Sequence, residues 1–210
     1  ARNADSAHGP IIVGIAEDIT EKKQLEGELQ RLATIDVLTQ SSNRRYFFEC
    51  AQREFDMARQ YATPLAFQLL DIDDFKRIND KLGHPAGDRA LKAIAGTLAQ
   101  SLRRDDLIGR MGGEEFAVVF NCPSEDQGKA IAERLRATIA RLSVSEGGQT
   151  LPITVSIGGV FTAQSIGFQR LYDIADGNCY RSKRGGRNKV TTSTVPPVAY
   201  GHSARHFRHG

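Results

Sequence analysis

Two adjacent glycines constrain this chain more than any other feature. Gly112-Gly113 separates two short strand-like runs, residues 107–111 and 115–120. A two-glycine connection signals a tight β-hairpin, because the turns that match strand twist need positive φ. Around this hairpin the patterning predicts a strand at Leu65–Ile72, a helix at 86–102 with Leu91, Ile94, Ala95, Leu98 and Leu102 on one face, a helix at 125–142, and a strand at 151–161. Strand, helix, hairpin, helix, strand is the split βαβ order, an α+β ferredoxin-like sheet flanked by helices. A helix at 168–183 and a short strand at 189–192 extend it. Upstream, Asn43 caps a helix reaching about residue 61, with Phe48, Ala51, Phe55 and Ala58 as its buried face.

Topology then supplies chemistry. In a split βαβ sheet the first strand lies antiparallel to the second hairpin strand, so the end of one meets the start of the other. Asp71 and Asp73 therefore approach Glu114 and Glu115. Clustered carboxylates need a cation among them, and hard oxygen ligands without His or Cys suit Mg2+ or Mn2+ better than zinc. Mg2+ held by few carboxylates completes its shell with water and substrate phosphates. Lys183 and Arg187, around the Gly185-Gly186 turn, and the helix start at Asp74, Phe75 and Lys76 are the phosphate partners. Alone, Lys183 and Arg187 would read as a solvated basic face; beside the acids they describe a triphosphate pocket.

Composition narrows the class. The 210 residues are 40% hydrophobic and 25% charged, with a net charge of +3, and carry no apolar run long enough to span a bilayer. Five basic residues crowd into 181–189, a local anion site rather than a nucleic-acid surface. Cys50, Cys122 and Cys179 lack metal or disulfide spacing, which fits a reducing cytoplasm. The chain reads as a cut piece of a longer protein rather than a secreted precursor. At 20–32, Leu25, Leu29 and Leu32 follow coiled-coil spacing behind Thr20 as N-cap; on periodicity alone this helix either lies on its own domain or ends a dimerising linker.

Gly112-Gly113-Glu114-Glu115-Phe116 resembles the signature of the GGDEF family, the diguanylate cyclases, in its GGEEF form. The resemblance covers about residues 36–190 and includes the run from Asp71 to Asp80, Gly83-His84, Gly87-Asp88, Thr154 to Gly158, and Gly186-Arg187-Asn188. It implies the polymerase-palm, nucleotide-cyclase-like version of the ferredoxin-like fold. Residues 14–23 look like the closing strand and exit helix of a PAS sensor, which favours the coiled-coil linker. The expected organisation is thus a sensor end (1–19), a linker helix (20–35), the cyclase domain (36–192) and a disordered tail (193–210). Two stretches depart from the family pattern: Gln40-Ser41, usually Gly-Leu, and Asn178-Cys179, usually Ala-Leu.

The resemblance further implies residue roles. Asp71, Glu115 and the Ile72 carbonyl hold metal, Glu114 is the base for a ribose 3′-hydroxyl, and Gly112 and Gly113 lie against GTP. Asn79 and Asp88 read guanine, an assignment their chemistry permits, although alone they are ordinary helix-end residues. Arg103 and Asp106 match the family's RxxD inhibitory site for cyclic di-GMP; alone they would be a charged helix end. The expected activity is metal-dependent condensation of two GTP into cyclic di-GMP, a nucleotidyltransferase reaction run by a product-inhibited homodimer. A catalytically silent cyclic di-GMP-binding module is the alternative; a palm polymerase or a cAMP or cGMP cyclase fits less well.

Overall fold

The computed structural model describes residues 18–162 and 167–195. Its elements in chain order are α1 (Thr20–Thr34), β1 (Ser42–Asn43), α2 (Arg44–Tyr61), β2 (Leu65–Ile72), α3 (Phe75–Leu82), α4 (His84–Ser101), β3 (Leu107–Gly112), β4 (Glu115–Asn121), α5 (Glu125–Ile139), β5 (Ser143–Glu146), β6 (Gln149–Pro152), β7 (Val155–Thr162), α6 (Phe168–Arg184) and β8 (Val190–Val195). Six strands form one sheet in the order β1-β3-β4-β2-β7-β8, and β5 and β6 form a separate hairpin. The central β3-β4-β2-β7 set is the expected split βαβ core, with β2 antiparallel to both neighbours.

Every residue of β2 is buried, and alternation divides them between two cores. Ala66, Leu70 and Ile72 join α3, α4 and α5 on one face; Leu65, Phe67 and Leu69 join α2 and α6 on the other. Asp71 therefore faces the α6 layer. That layer packs unusually close, because Gly158 in β7 has no side chain: a Cβ there would lie 2.1 Å from the Ala175 carbonyl oxygen and 2.2 Å from the Cys179 nitrogen.

Several expectations are corrected. The two-residue turn is Gly113-Glu114 rather than Gly112-Gly113, since Gly112 pairs with Glu115 and the register shifts at Met111. Phe47, not Phe48, is the fully buried aromatic of α2; glycine at 109 leaves room for its ring. The strand expected at 151–161 is two, β6 and β7, broken at Ile153-Thr154. Thr20 is the first helical residue rather than the cap; its N–H donates to Asp18 at 2.9 Å. β8 continues to Val195, three residues past its expected end. The sensor end within 1–17 and the tail beyond residue 195 lie outside the described residues. No helix among the described residues is long and apolar enough to cross a membrane.

Candidate active site

Asp71, the penultimate residue of β2, lies directly opposite Glu115, the first residue of β4. Both point to the α6 face by alternation, and the Ile72 N–H donates to the Glu114 carbonyl at 3.3 Å, docking the hairpin turn against the end of β2. Lys183, in the last turn of α6, places its Nζ 2.6 Å from Asp71 Oδ2. Asp71, Glu115, Asp176 and Lys183 line a cavity of about 140 Å3. Burial pushes the Asp71 carboxyl up to about 6; the Lys183 hydrogen bond and charge oppose this, while Glu114 and Glu115 add to it. Burial acts to lower the Lys183 value, but the hydrogen bond to Asp71 and the negative charges around it together outweigh this and leave the ammonium above its usual range.

Asp73 does not join this cluster. Its carboxylate accepts from Thr154 Oγ1 (2.8 Å), Ser156 Oγ (2.7 Å) and the Asn188 N–H (2.8 Å), so it anchors the loop after α6. Arg136 of α5 donates to Asn188 Oδ1 at 2.8 Å from the other side. Between these anchors Gly186, Arg187 and Asn188 take φ values of 108°, 61° and 44°. Arg187 is thereby aimed at Asp74, with its Nε 3.2 Å from Asp74 Oδ1. Of the expected phosphate partners at the start of α3, Asp74 and Lys76 are exposed, whereas the Phe75 side chain packs into the core and leaves only its backbone for a ligand.

Gly83, with φ 81°, ends α3 and starts α4 at one residue, which brings Asn79 of α3 against Gly87, the chain neighbour of Asp88. Gly87 makes room for the Asn79 side chain; a Cβ there would lie 2.0 Å from Asn79 Oδ1. Gly112 and Gly113, with φ 129° and 52°, leave the turn open to solvent.

Arg110 was not singled out by sequence reasoning. Its Nε and Nη2 donate to the Gly113 carbonyl at 3.1 and 2.8 Å, and its Nη1 reaches both Asp36 oxygens at 3.2 and 3.3 Å. Burial works against ionisation of Asp36, but bonds from Thr39 and the Arg110 charge hold it below the ordinary carboxylate value. The available signal was a basic residue two positions before the glycine pair. The Asn178 departure is accommodated: its Nδ2 donates to the Gly159 carbonyl at 2.7 Å, and Arg181 and Ser193 donate to its Oδ1.

A larger cavity, about 470 Å3, lies elsewhere, lined by Arg103, Asp106, Gln127 and Arg134 together with Phe120 and Asn121. Phe120 and Glu115 stand five residues apart on β4, about 17 Å at a strand's rise per residue. Arg134 is a cationic neighbour that the Arg103-Asp106 spacing alone did not reveal.

Among the described residues no three Asp, Glu, His or Cys side chains form a metal cage. The donor set is a buried carboxylate lacking full compensation, a second carboxylate in register with it, and nearby cations for phosphate. This fits a hard divalent ion that arrives with a phosphorylated ligand.

A family model described as "Diguanylate cyclase, GGDEF domain" matches residues 33–189. Among curated proteins, the chain is 37% identical over 169 residues to the probable diguanylate cyclase DgcT of Escherichia coli K12, covering 79% of this chain and 37% of that protein. It is 41% identical over 167 residues to the diguanylate cyclase DgcP of Pseudomonas aeruginosa, covering 79% of this chain and 25% of that one. The chain thus spans well under half the length of these relatives. Among solved structures, the coiled coil and GGDEF domain of DgcB from Caulobacter crescentus, in complex with c-di-GMP, superposes with a TM-score of 0.78 at 28% identity, covering 84% of this chain and 94% of that one.

Proposed function

Since the chain belongs to the diguanylate cyclase GGDEF-domain family, we propose that it condenses two GTP molecules into cyclic di-GMP and releases two pyrophosphates. The observation that carries this reading is the pairing of Asp71 with Glu115 beside Lys183, two acids and a cation at one sheet edge. Asp71, Glu115 and the Ile72 carbonyl would hold Mg2+ or Mn2+. When bound, the metal neutralises charge developing on the phosphates and improves pyrophosphate as a leaving group.

Glu114 takes the ribose 3′-hydroxyl proton as that oxygen attacks the α-phosphorus of the second nucleotide. Lys183 and Arg187 bind the triphosphate, with the backbone around Asp74, Phe75 and Lys76 and the open turn at Gly112-Gly113 accommodating it. Asn79 meets guanine O6 or N7, and Asp88 accepts from the N1–H and N2–H2 edge, which adenine lacks. Two identical bonds close the product ring, so two domains must face each other. We assign that pairing to the 20–35 linker helix ahead of the 36–192 domain. Cyclic di-GMP would bind at Arg103 and Asp106 as inhibitor, remote from the carboxylates.

Presence of both acids and of the phosphate cations favours catalysis over a silent binding module. The decisive experiment incubates the protein with GTP and Mg2+ and identifies products by chromatography and mass spectrometry. Cyclic di-GMP and pyrophosphate are expected, with turnover lost in Glu115→Gln while its circular dichroism stays unchanged. Equal product from that variant overturns the metal assignment.

A further inference from the structure

Both cations expected to meet phosphate are held by carboxylates in the structure, Lys183 by Asp71 at 2.6 Å and Arg187 by Asp74 at 3.2 Å. The pairs differ in setting. The Arg187–Asp74 side chains are 51% and 53% exposed, where water and salt leave such a pair nearly without effect. The Asp71 side chain is only 9% exposed and Lys183 38%, so this contact is far less screened. The oxygen that Lys183 occupies belongs to the same carboxylate that would ligate metal.

We propose that Lys183 is a resident counter-cation for Asp71 that makes divalent-metal binding contingent on a triphosphate. This rests on the reading of Asp71 as a metal ligand and Lys183 as a phosphate partner. An ammonium on Asp71 blocks a lone pair and repels a second positive charge arriving at the same carboxylate. Lysine suits such an exchange, since its charge is compact and rides on a flexible four-carbon stem, unlike the planar fork of arginine. Its position at the last turn of α6, held down on Gly158, lets the ammonium swing between Asp71 and the mouth of the cavity without moving the helix. Triphosphate oxygens offer the ammonium another anionic partner, and the released carboxylate becomes available. Metal and nucleotide then favour each other through one side chain, and the coupling is reciprocal.

The test reads Mn2+ binding by electron paramagnetic resonance, first with Mn2+ alone and then with the non-reactive GTP analogue carrying an α,β-methylene bridge, corrected for Mn2+ binding by the analogue itself. Wild type is expected to bind Mn2+ alone weakly and to bind it more tightly with the analogue. Lys183→Met should bind Mn2+ alone about tenfold more tightly than wild type, with most of the analogue's effect gone, while Lys183→Arg stays close to wild type. Lys183→Gln serves the same purpose should the methionine variant fail to fold by circular dichroism. Equal or weaker Mn2+ binding by the neutral variants overturns the proposal.

Asp71→Asn in both backgrounds separates the two layers of the argument. If it abolishes Mn2+ binding while Lys183→Met matches wild type, the metal reading stands and the counter-cation role falls. If Mn2+ binding survives Asp71→Asn, the metal reading itself falls.

Discussion

At the scale of single residues, the site is governed by one carboxyl. Burial holds Asp71 at about 6, so at that pH half the molecules carry a proton on the group that would ligate metal. Proton and cation compete for it, and lowering the pH favours the proton. The apparent Mg2+ affinity, read from the rate at varied Mg2+, is therefore expected to fall about tenfold per pH unit below 6 and to level off above 7. A flat profile down to pH 5 would show that Asp71 is not the ligand. The acids were legible as residues because sheet topology alone brings positions 71 and 115 together. The partners of Asp73 were not, since its hydroxyl and backbone donors at Thr154, Ser156 and Asn188 lie 81, 83 and 115 positions away. Nor was the fate of Asn178 visible: the sequence shows a polar residue on a packed helix but not the carbonyl at Gly159 that receives it.

At the scale of elements, the contact between α6 and β7 sets the height of Lys183 above Asp71. Gly158 meets the backbone of α6, not a side chain that could turn aside. Gly158→Ala must therefore lift the helix, and is expected to cost about 3 kcal/mol of stability, measured as a lower urea midpoint. A variant with an unchanged midpoint would mean that α6 is free to shift. Helix and strand positions were largely readable from apolar spacing, and Asn43 does cap α2, accepting the Tyr46 N–H at 3.0 Å. The hairpin's existence was readable too, but its register was not. Glycine pairs permit several turns; in the one adopted the Arg110 guanidinium donates to the Gly113 carbonyl while its other edge is held by Asp36, 74 positions away and outside any local pattern. The choice between Phe47 and Phe48 likewise depends on a glycine on another strand.

At the scale of the whole molecule, α1 stands apart from both cores with Leu25, Leu29 and Leu32 exposed at 58%, 66% and 50%. Of the two readings left open by periodicity, this exposure favours the dimerising linker over a helix lying on its own domain. Leu29→Glu is expected to weaken self-association in ultracentrifugation and to lower specific activity by about tenfold or more at micromolar protein, an effect that rising concentration reverses. Concentration-independent activity in wild type would defeat the dimer. The proposed binding of cyclic di-GMP in the cavity at Arg103, Asp106 and Arg134, remote from the carboxylates, leads to the expectation of inhibition that GTP does not relieve. Arg103→Ala should straighten progress curves without lowering the initial rate, and unchanged cyclic di-GMP binding in calorimetry would reduce Arg103 to a helix-end charge. The cavity itself could not be read from the sequence, since its wall combines the end of α4 with α5 and the far end of β4.

The chain enters the domain through a polar junction: Asn43 and Arg45 donate to the Ala33 carbonyl at the end of α1, and Arg110 grips Asp36, just past α1, with one edge of its guanidinium and the hairpin turn with the other. The acids themselves are carried by strands buried deep in the sheet, which owe nothing to α1. Chemistry and command are therefore separable. A graft that replaces everything before Ile35 with a foreign helix that itself pairs with a second copy should carry the reaction intact, and torque from that helix would reach the turn through the Asp36–Arg110 contact and through β1, which pairs with β3.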